Sequence, residues 1–568
     1  MHHPPRNVTK ISRAGAHWVS PAFAIYSGCI GNVYRQMFGF VLRKNVALVL
    51  GATLLLAARS DASGARTAST RVNAWTTPHV LTISDAGDVN TLNPHLGHFA
   101  AVANLSEMTM AWLVKWDEHN EPYPELATEV PTRTNGGIST DGLTITYHIR
   151  TGVVWSDGAP FDADDVVFST SVVNDMANNE AGRFDQAERV DEPDKYTVVY
   201  HLKKPYSPSA VAFFSSCCAN TCLLPKHLLA RYPNINDVPY NALPVGIGPF
   251  KFERWDRSKQ VVMVANPLYW HGRPKLDKIA YKFVPDRNAL LAQLRSHDVD
   301  MWYQFSGAYL ERIEALPQYT VFRQPSYAYN HIDFNLTHAK VADPAVRQAL
   351  RLALDRQALV DKVEHGVGIV QDSVTPRSAP YFVDAGTTPH DLAKANSLLD
   401  EAGWIRGGDG IRAKVGVKLD LDVATRTGSP EIGVALEVQR YSPALMFAPL
   451  QEGGLIYGGK WDVITFAWAA DPIGEFSAIY GCKSFPPAGE NTLRRCNETA
   501  QGAMDALVGH YEPSERIADL KVFMHEFIKD VPSIVSSMRV DLFAYNKDLN
   551  NYHPNNITPF DNMMDVDL

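Results

Sequence analysis

The chain has 568 residues, 45% hydrophobic and 10% aromatic, a globular composition too long for one core and sufficient for two or three domains. Its 53 basic and 62 acidic residues leave a net charge of −9 with no basic stripe, which argues against nucleic acid as a partner. Near the N-terminus, Arg43 and Lys44 precede an apolar or small run from Val46 to Ala58, followed by small residues with cleavage points after Ala62 or Ala65. That run is shorter than the ~20 residues a spanning helix needs, so it predicts a secretory signal peptide, with Met37 offering a start of ordinary signal length. No Cys follows the run, which points to a free periplasmic protein rather than a lipoprotein. Loss of Cys29 with the signal leaves Cys217, Cys218, Cys222, Cys482 and Cys496, an odd number for an oxidising compartment. The trio at 217–222 supplies one bridge and one leftover thiol, or a metal site; no His or Cys cluster at zinc-ligand spacing accompanies it.

Taken in order, Val80 to Ser84 predicts a first strand and residues 104–116 are amphipathic. Leu143, Ile145, Tyr147 and Ile149 alternate with Thr144, Thr146 and His148, the period of a half-buried strand. Asp157 and Gly158 then turn the chain. Asp162 falls at a helix N-cap with Asp165 at the capping-box position, Phe161 and Val166 are spaced as a hydrophobic staple, and Val166, Val167, Val173 and Met176 form an apolar stripe. Tyr196 to Leu202 predicts a strand. The segment from Pro244 to Ile279 predicts a hairpin about the polar turn Asp256 to Lys259, and strand Ile279–Val284, helix Asn288–Arg295 and strand Val299–Trp302 follow. A long helix is expected from Asp343 as N-cap through Val360 to Gly366, another from Asp391 to Gly403, strands over Val415–Val423 and Trp461–Trp468, and a helix over Ser514–Lys529 that stops before Pro532. A tail rich in Asn and Asp closes the chain.

Three stretches carry a resemblance. In IRTGVVWSDGAPFDADDVVFS, residues 149–169, Arg150, Gly152, Val153, Trp155, Asp157, Gly158, Pro160, Phe161, Ala163, Asp165 and Val166 match a signature pattern. In the second, Gly246, Gly248, Pro249, Phe250, Asn266, Pro267, Tyr269, Trp270, Gly272, Pro274, Leu276 and Asp277 match, with Ile247 where Thr is usual. In the third, Arg347, Gln348, Ala349, Asp355 and Arg356 match, with Glu401 to Trp404 beyond them. Together they resemble the family 5 extracellular solute-binding proteins, the dipeptide and oligopeptide receptors of ABC importers. The resemblance covers nearly all of residues 79–545; the segment after Arg426 is shorter and more divergent than in typical members.

The resemblance implies an α/β protein of the type II, large peptide-receptor subclass: a two-lobed periplasmic binding protein with a hinge and an additional domain. The expected division is 1–65 N-terminal extension and signal peptide, 66–108 and 225–303 lobe I, 109–224 the additional domain carrying the signature, 304–539 lobe II, and 540–568 the return to lobe I. It implies a disulfide between Cys482 and Cys496, which flank a Gly/Pro-rich loop, and a ligand amine held by a carboxylate three residues after a Trp, matched by Asp471 and Trp468. Tyr329, Asn335 and Trp404 are further ligand-site candidates. The signature residues themselves read as fold-makers. The expected partners are a peptide or other small solute and an inner-membrane ABC permease; no nucleic acid, cofactor or metal is expected, and a monomer is. Rival ligands are a metal chelate, an opine-like compound or an oligosaccharide. A secreted hydrolase is disfavoured, because no Gly-x-Ser-x-Gly elbow is present and His525-Glu526 lacks the second His of His-Glu-x-x-His.

Overall fold

The computed structural model describes residues 73–568 apart from 98–99, 176, 179–183, 212, 217–220, 425–433, 440–445, 447–453, 471 and 487–488. The signal segment, Met176, Cys217, Cys218 and Asp471 therefore lie outside the described residues. The strands are β1 (Val80–Asp85), β2 (Val114–Trp116), β3 (Pro122–Pro124), β4 (Thr144–His148), β5 (Ala187–Asp194), β6 (Thr197–Leu202), β7 (Phe250–Asp256), β8 (Gln260–Ala265), β9 (Lys278–Phe283), β10 (Met301–Trp302), β11 (Tyr319–Phe334), β12 (Ile405–Arg406), β13 (Arg412–Lys414), β14 (Val417–Lys418), β15 (Asp420–Ala424), β16 (Ala435–Val438), β17 (Val463–Ala469) and β18 (Ser533–Asn546). The longer helices are α1 (Ala100–Thr109), α2 (Ala163–Asn174), α3 (Arg287–Ser296), α4 (Pro344–Ala353), α5 (Arg356–Val363), α6 (Leu392–Glu401), α7 (Glu498–Leu507) and α8 (Pro513–Asp530).

One ten-stranded sheet, in the order β16-β15-β17-β11-β18-β10-β1-β9-β8-β7, runs through the molecule. Its two halves have separate cores. One gathers Leu81, Ile83, Ile279, Tyr281, Met301 and Phe543; the other gathers Phe334, Val346, Leu399, Leu421, Val463 and Ile534. Only β11 and β18 belong to both halves. Residues Tyr319–Pro325 pair antiparallel with Val540–Asn546 on the side of β10, and Tyr329–Asp333 with Ser533–Met538 on the side of β17. Between them the register shifts, so that four steps along β11 from Pro325 to Tyr329 match two along β18 from Val540 to Met538. This bulge opens the ladder where the halves meet. A separate sheet, β4-β6-β5, carries the additional unit, whose core of Trp116, Tyr147, Trp155 and Tyr200 is continuous with Tyr329, Trp468, Tyr480 and Phe523.

The signature is a scaffold. Asp162 caps α2 and forms the capping box with Asp165. Buried Asp165 also accepts from the Trp155 indole N–H at 3.1 Å and the Lys226 backbone N–H at 2.9 Å, gathering turn, helix and the following segment onto one carboxylate. Arg150 donates to the Glu125 carbonyl at 2.5 Å and lies 4.5 Å over the Trp270 ring of the second motif. The Gly246 carbonyl accepts from the Ser156 N–H at 2.9 Å. A Cβ on Gly246 would stand 2.0 Å from the Thr109 carbonyl oxygen and one on Gly248 2.5 Å from its carbonyl carbon, so these glycines let the loop touch the end of α1 rather than cradle a phosphate.

Two expectations are corrected and one element is added. The helix expected from Asp343 to Gly366 is two: Leu354 adopts an extended conformation, and Asp355 caps α5 by accepting from the Ala358 N–H at 2.9 Å. The strand expected from Val415 begins at Val417, because Val415 (φ 49°) and Gly416 (φ 79°) form the two-residue turn between β13 and β14. Between Pro532 and the Asn/Asp-rich tail, where the sequence reading named no element, lies β18. Its run of buried residues does not alternate, which is how a strand covered on both faces reads.

Val415 is 97% exposed and β-branched at a position needing positive φ, where Asn is accommodated at little cost and Val is not. Val415→Asn is expected to stabilise the protein by about 1 kcal/mol, read as a higher urea midpoint for the unit carrying β12–β14. An unchanged or lower midpoint would contradict the turn assignment.

Candidate functional site

A cavity of about 360 Å³ lies at the bulge between the two halves of the sheet. Tyr303 and Gln304 line it from one half, Phe466, Trp468 and Ala469 from the other, Ser326 to Ala328, Arg539 and Asp541 from the strands crossing between them, and Asn555 to Ile557 from the C-terminal segment. Its position follows from sheet geometry. Ala328 pairs with Ala469 on the β17 side and the Tyr327 carbonyl accepts from the Ala470 N–H at 2.7 Å, whereas towards β18 the register skips from Pro325 to Tyr329 and the Ala328 N–H donates to the Ser326 hydroxyl at 3.1 Å. An extended ligand can lie alongside a ladder interrupted in this way.

The charged groups are on β18. Asp541 is 8% exposed and accepts from the Gln304 amide at 3.3 Å. Burial pushes its carboxyl up, opposed by the charge of Arg539 and a hydrogen bond from Ser326. Gln304 has φ 49°, a conformation uncommon outside Gly and Asn, held where it meets Asp541. Arg539 is exposed within the cleft.

Of the residues singled out from sequence, Trp468 lines this cavity, with its ring stacked on His331 at 5.9 Å and 9°. Tyr329 is fully buried just behind it, its hydroxyl 3.1 Å from that of Tyr480; burial pushes its phenol far up. Asn335 and Trp404 do not line the cavity. The Asn335 amide donates to the Gly459 carbonyl at 2.7 Å and its oxygen accepts from Thr337, terminating β11; the Trp404 indole donates to Asp343 at 3.0 Å and packs in the α4–α6 core. Asp471 lies outside the described residues, two beyond the end of β17. Cys482 and Cys496 form a disulfide, Cα atoms 4.6 Å apart, and Cys222 is a buried free thiol.

The residues missed from sequence are Gln304, Ser326, Arg539 and Asp541. A signal existed for two of them. Arg539 and Asp541 sit at i and i+2, on one face of a strand whose neighbours are otherwise buried and mostly apolar. Among the described residues no group of three His, Cys, Asp or Glu side chains could hold a metal ion, and no helix is long and apolar enough to cross a membrane.

The family model described as bacterial extracellular solute-binding proteins, family 5 Middle, matches residues 121–485. The oligopeptide-binding protein AppA of Bacillus subtilis is 30% identical over 372 residues, 63% of this chain and 66% of that protein, so the matched stretch spans just under two thirds of that relative. The structure of B. subtilis AppA in complex with a nonapeptide superposes with a TM-score of 0.72 at 24% identity, covering 86% of this chain and 98% of that one. NikZ from Campylobacter jejuni in complex with Ni(L-His) superposes with a TM-score of 0.72 at 23% identity, covering 87% and 100%. Both share the fold.

Proposed function

This chain belongs to the bacterial extracellular solute-binding proteins of family 5, and we propose that it is the exported receptor of an ABC importer, binding peptides in the hinge cavity and handing them to an inner-membrane permease. The observation that carries the reading is the opened ladder at Ser326–Ala328, inside a cavity that both halves of the sheet enclose. A peptide lies alongside the interrupted ladder, and closure of the halves upon it makes a hinge motion the signal to the permease. The receptor binds its ligand without converting it. The oligopeptide-binding relative supports this reading.

In this reading Asp471 holds the ligand's α-amine and Trp468 walls the subsite beside it. Asp471→Ala is expected to fold normally and to weaken peptides with a free N-terminus by about tenfold or more, the worth of a charge-assisted hydrogen bond, while N-acetylated peptides change little. Equal affinity of the wild type for free and acetylated forms in calorimetry would remove Asp471 from the site. A second reading, a metal chelate, is favoured by the NikZ–Ni(L-His) neighbour. Native mass spectrometry of the mature protein, purified without denaturation, decides between them: a ladder of short peptide masses supports the peptide, and a single non-peptide mass supports the chelate.

A further inference from the structure

We propose that the half of the sheet built on β15 and β17 carries a second ligand site, apart from the hinge cavity: an apolar pocket that takes one small uncharged molecule, about the size of a single ring, whose one hydroxyl pairs with Ser536. This site goes beyond the peptide reading and does not depend on it. The pocket has a volume of about 170 Å³ and shares no described lining residue with the hinge cavity. Its floor includes Ile332 of β11 and Thr465 of β17, which are paired in register; its roof is Leu350 and Ala353 of α4, Leu354 at the extended break and Leu359 of α5. The break makes the space. A continuous helix would lay its apolar stripe along the sheet, whereas extended Leu354 and the Asp355 cap start a new helix and leave a gap beneath the junction.

Ser536 is the observation that points to a ligand. In β18, Ser537 pairs with Asn330 and Val535 with His331, so Ser536 is the extra residue of a bulge, and bulges re-aim side chains. It is 4% exposed and lines the pocket, yet its hydroxyl bonds to no described residue. Buried hydroxyls are ordinarily partnered. Water fits poorly, because the hydroxyls of Ser536 and Thr465 are the only polar side-chain groups on the described walls, the lower limit of the ~2–4 partners that hold a buried water. The remaining wall is aliphatic or aromatic, and an apolar cavity of about 150 Å³ stays dry and takes up benzene. A space of about 170 Å³ therefore suits one ring and little more, and a ligand there restores the dispersion contacts that an empty cavity forfeits. No described lining residue is charged, so an ionised ligand would be left without a partner.

The test is isothermal titration of the mature protein, as wild type, Ser536→Ala and Ala353→Leu, with benzene, phenol and benzoate at pH 7. Wild type is expected to bind benzene and phenol at one molecule per chain, and benzoate at least tenfold more weakly than phenol. Ser536→Ala is expected to weaken phenol by about tenfold, the consequence of burying a hydroxyl without its partner, while benzene stays within about twofold. Ala353→Leu extends the roof into the pocket and is expected to weaken benzene and phenol alike by about tenfold or more. If Ala353→Leu fails to fold, the phenol-to-benzene ratio in Ser536→Ala decides alone, since a general loss of structure would weaken both probes equally. Absence of saturable binding of benzene and phenol to wild type overturns the site, and so does a phenol-to-benzene ratio unchanged in Ser536→Ala. Benzoate binding as tightly as phenol overturns the uncharged ligand class. None of these outcomes bears on the peptide reading, because both substitutions lie outside the hinge cavity.

Discussion

Asp165→Ala is expected to cost about 3 kcal/mol or more of stability while leaving ligand affinity within about twofold, because the signature serves the fold and not the cavity. The carboxylate is 5% exposed and receives the Trp155 indole N–H at 3.1 Å, the Lys226 N–H at 2.9 Å and, more weakly, the Asp162 N–H at 3.4 Å. Truncation to Ala strips the acceptor from donors that stay buried, and each orphaned donor costs about 1–3 kcal/mol. The capping box of α2 is lost as well, worth about 1 kcal/mol more. Asp165→Asn keeps one carbonyl oxygen and is expected to lose roughly half as much, so the pair of variants separates lost acceptors from lost volume. Urea midpoints check the stability and titration with the native ligand the affinity. A large affinity loss with an unshifted midpoint would show that the signature touches the ligand after all.

The elements legible in the sequence were those whose instructions are local. Asp162 and Asp165 specify the start of α2 by capping geometry alone, and the alternation from Leu143 to Ile149 specifies a strand with one buried face. The β7–β8 hairpin follows from its polar turn. What failed to show were instructions that depend on the partner. β18 is covered on both faces, so it lacks the alternation that marks a half-buried strand. Asp355 reads as one more polar residue in an amphipathic helix until its side chain is seen to cap the next turn and split that helix in two.

The site divides the same way. Trp468 was reachable through resemblance and does line the cavity. Tyr329, Asn335 and Trp404 carry chemistry that suits a binding site, yet their polar atoms are engaged with Tyr480, Gly459 and Asp343 respectively. Arg539 and Ser326 acquire significance only from a register shift between strands about two hundred residues apart in sequence, and no local pattern encodes that pairing.

The second large effect is expected at Lys115, which ties the additional unit to the C-terminal segment. Its ammonium lies 3.3 Å from Glu125 and 3.1 Å from Asp561, with the three side chains 4%, 2% and 8% exposed. Tyr123 donates to Asp561 at 2.6 Å, the Trp112 N–H donates to Glu125 at 2.7 Å, the Phe560 N–H donates to nearby Glu107 at 2.7 Å, and Tyr269 faces the same cluster. Burial pushes Glu125 up to about 7 even though Lys115 opposes the rise, and burial likewise drives Glu107 upward. The folded protein thus retains a proton on Glu125 that the unfolded chain releases above its ordinary value near 4.5. Glu125's contribution is therefore complete below that value and is lost as pH rises through about 7. Lys115→Met removes the cluster's one cation among the described residues and leaves two buried carboxylates facing each other, a change that costs about 3–5 kcal/mol where both are ionised. Protonation of Glu125 relieves part of that cost, at about 1.4 kcal/mol for each unit by which its pKa is raised further. The loss on Lys115→Met is accordingly expected to be largest at pH 8 and to shrink toward pH 5, while Glu125→Gln flattens the slope between pH 4.5 and 7. Urea titrations at pH 5, 6, 7 and 8 read both effects, and a cost for Lys115→Met that is the same at pH 5 and pH 8 would show that the cluster does not hold its proton.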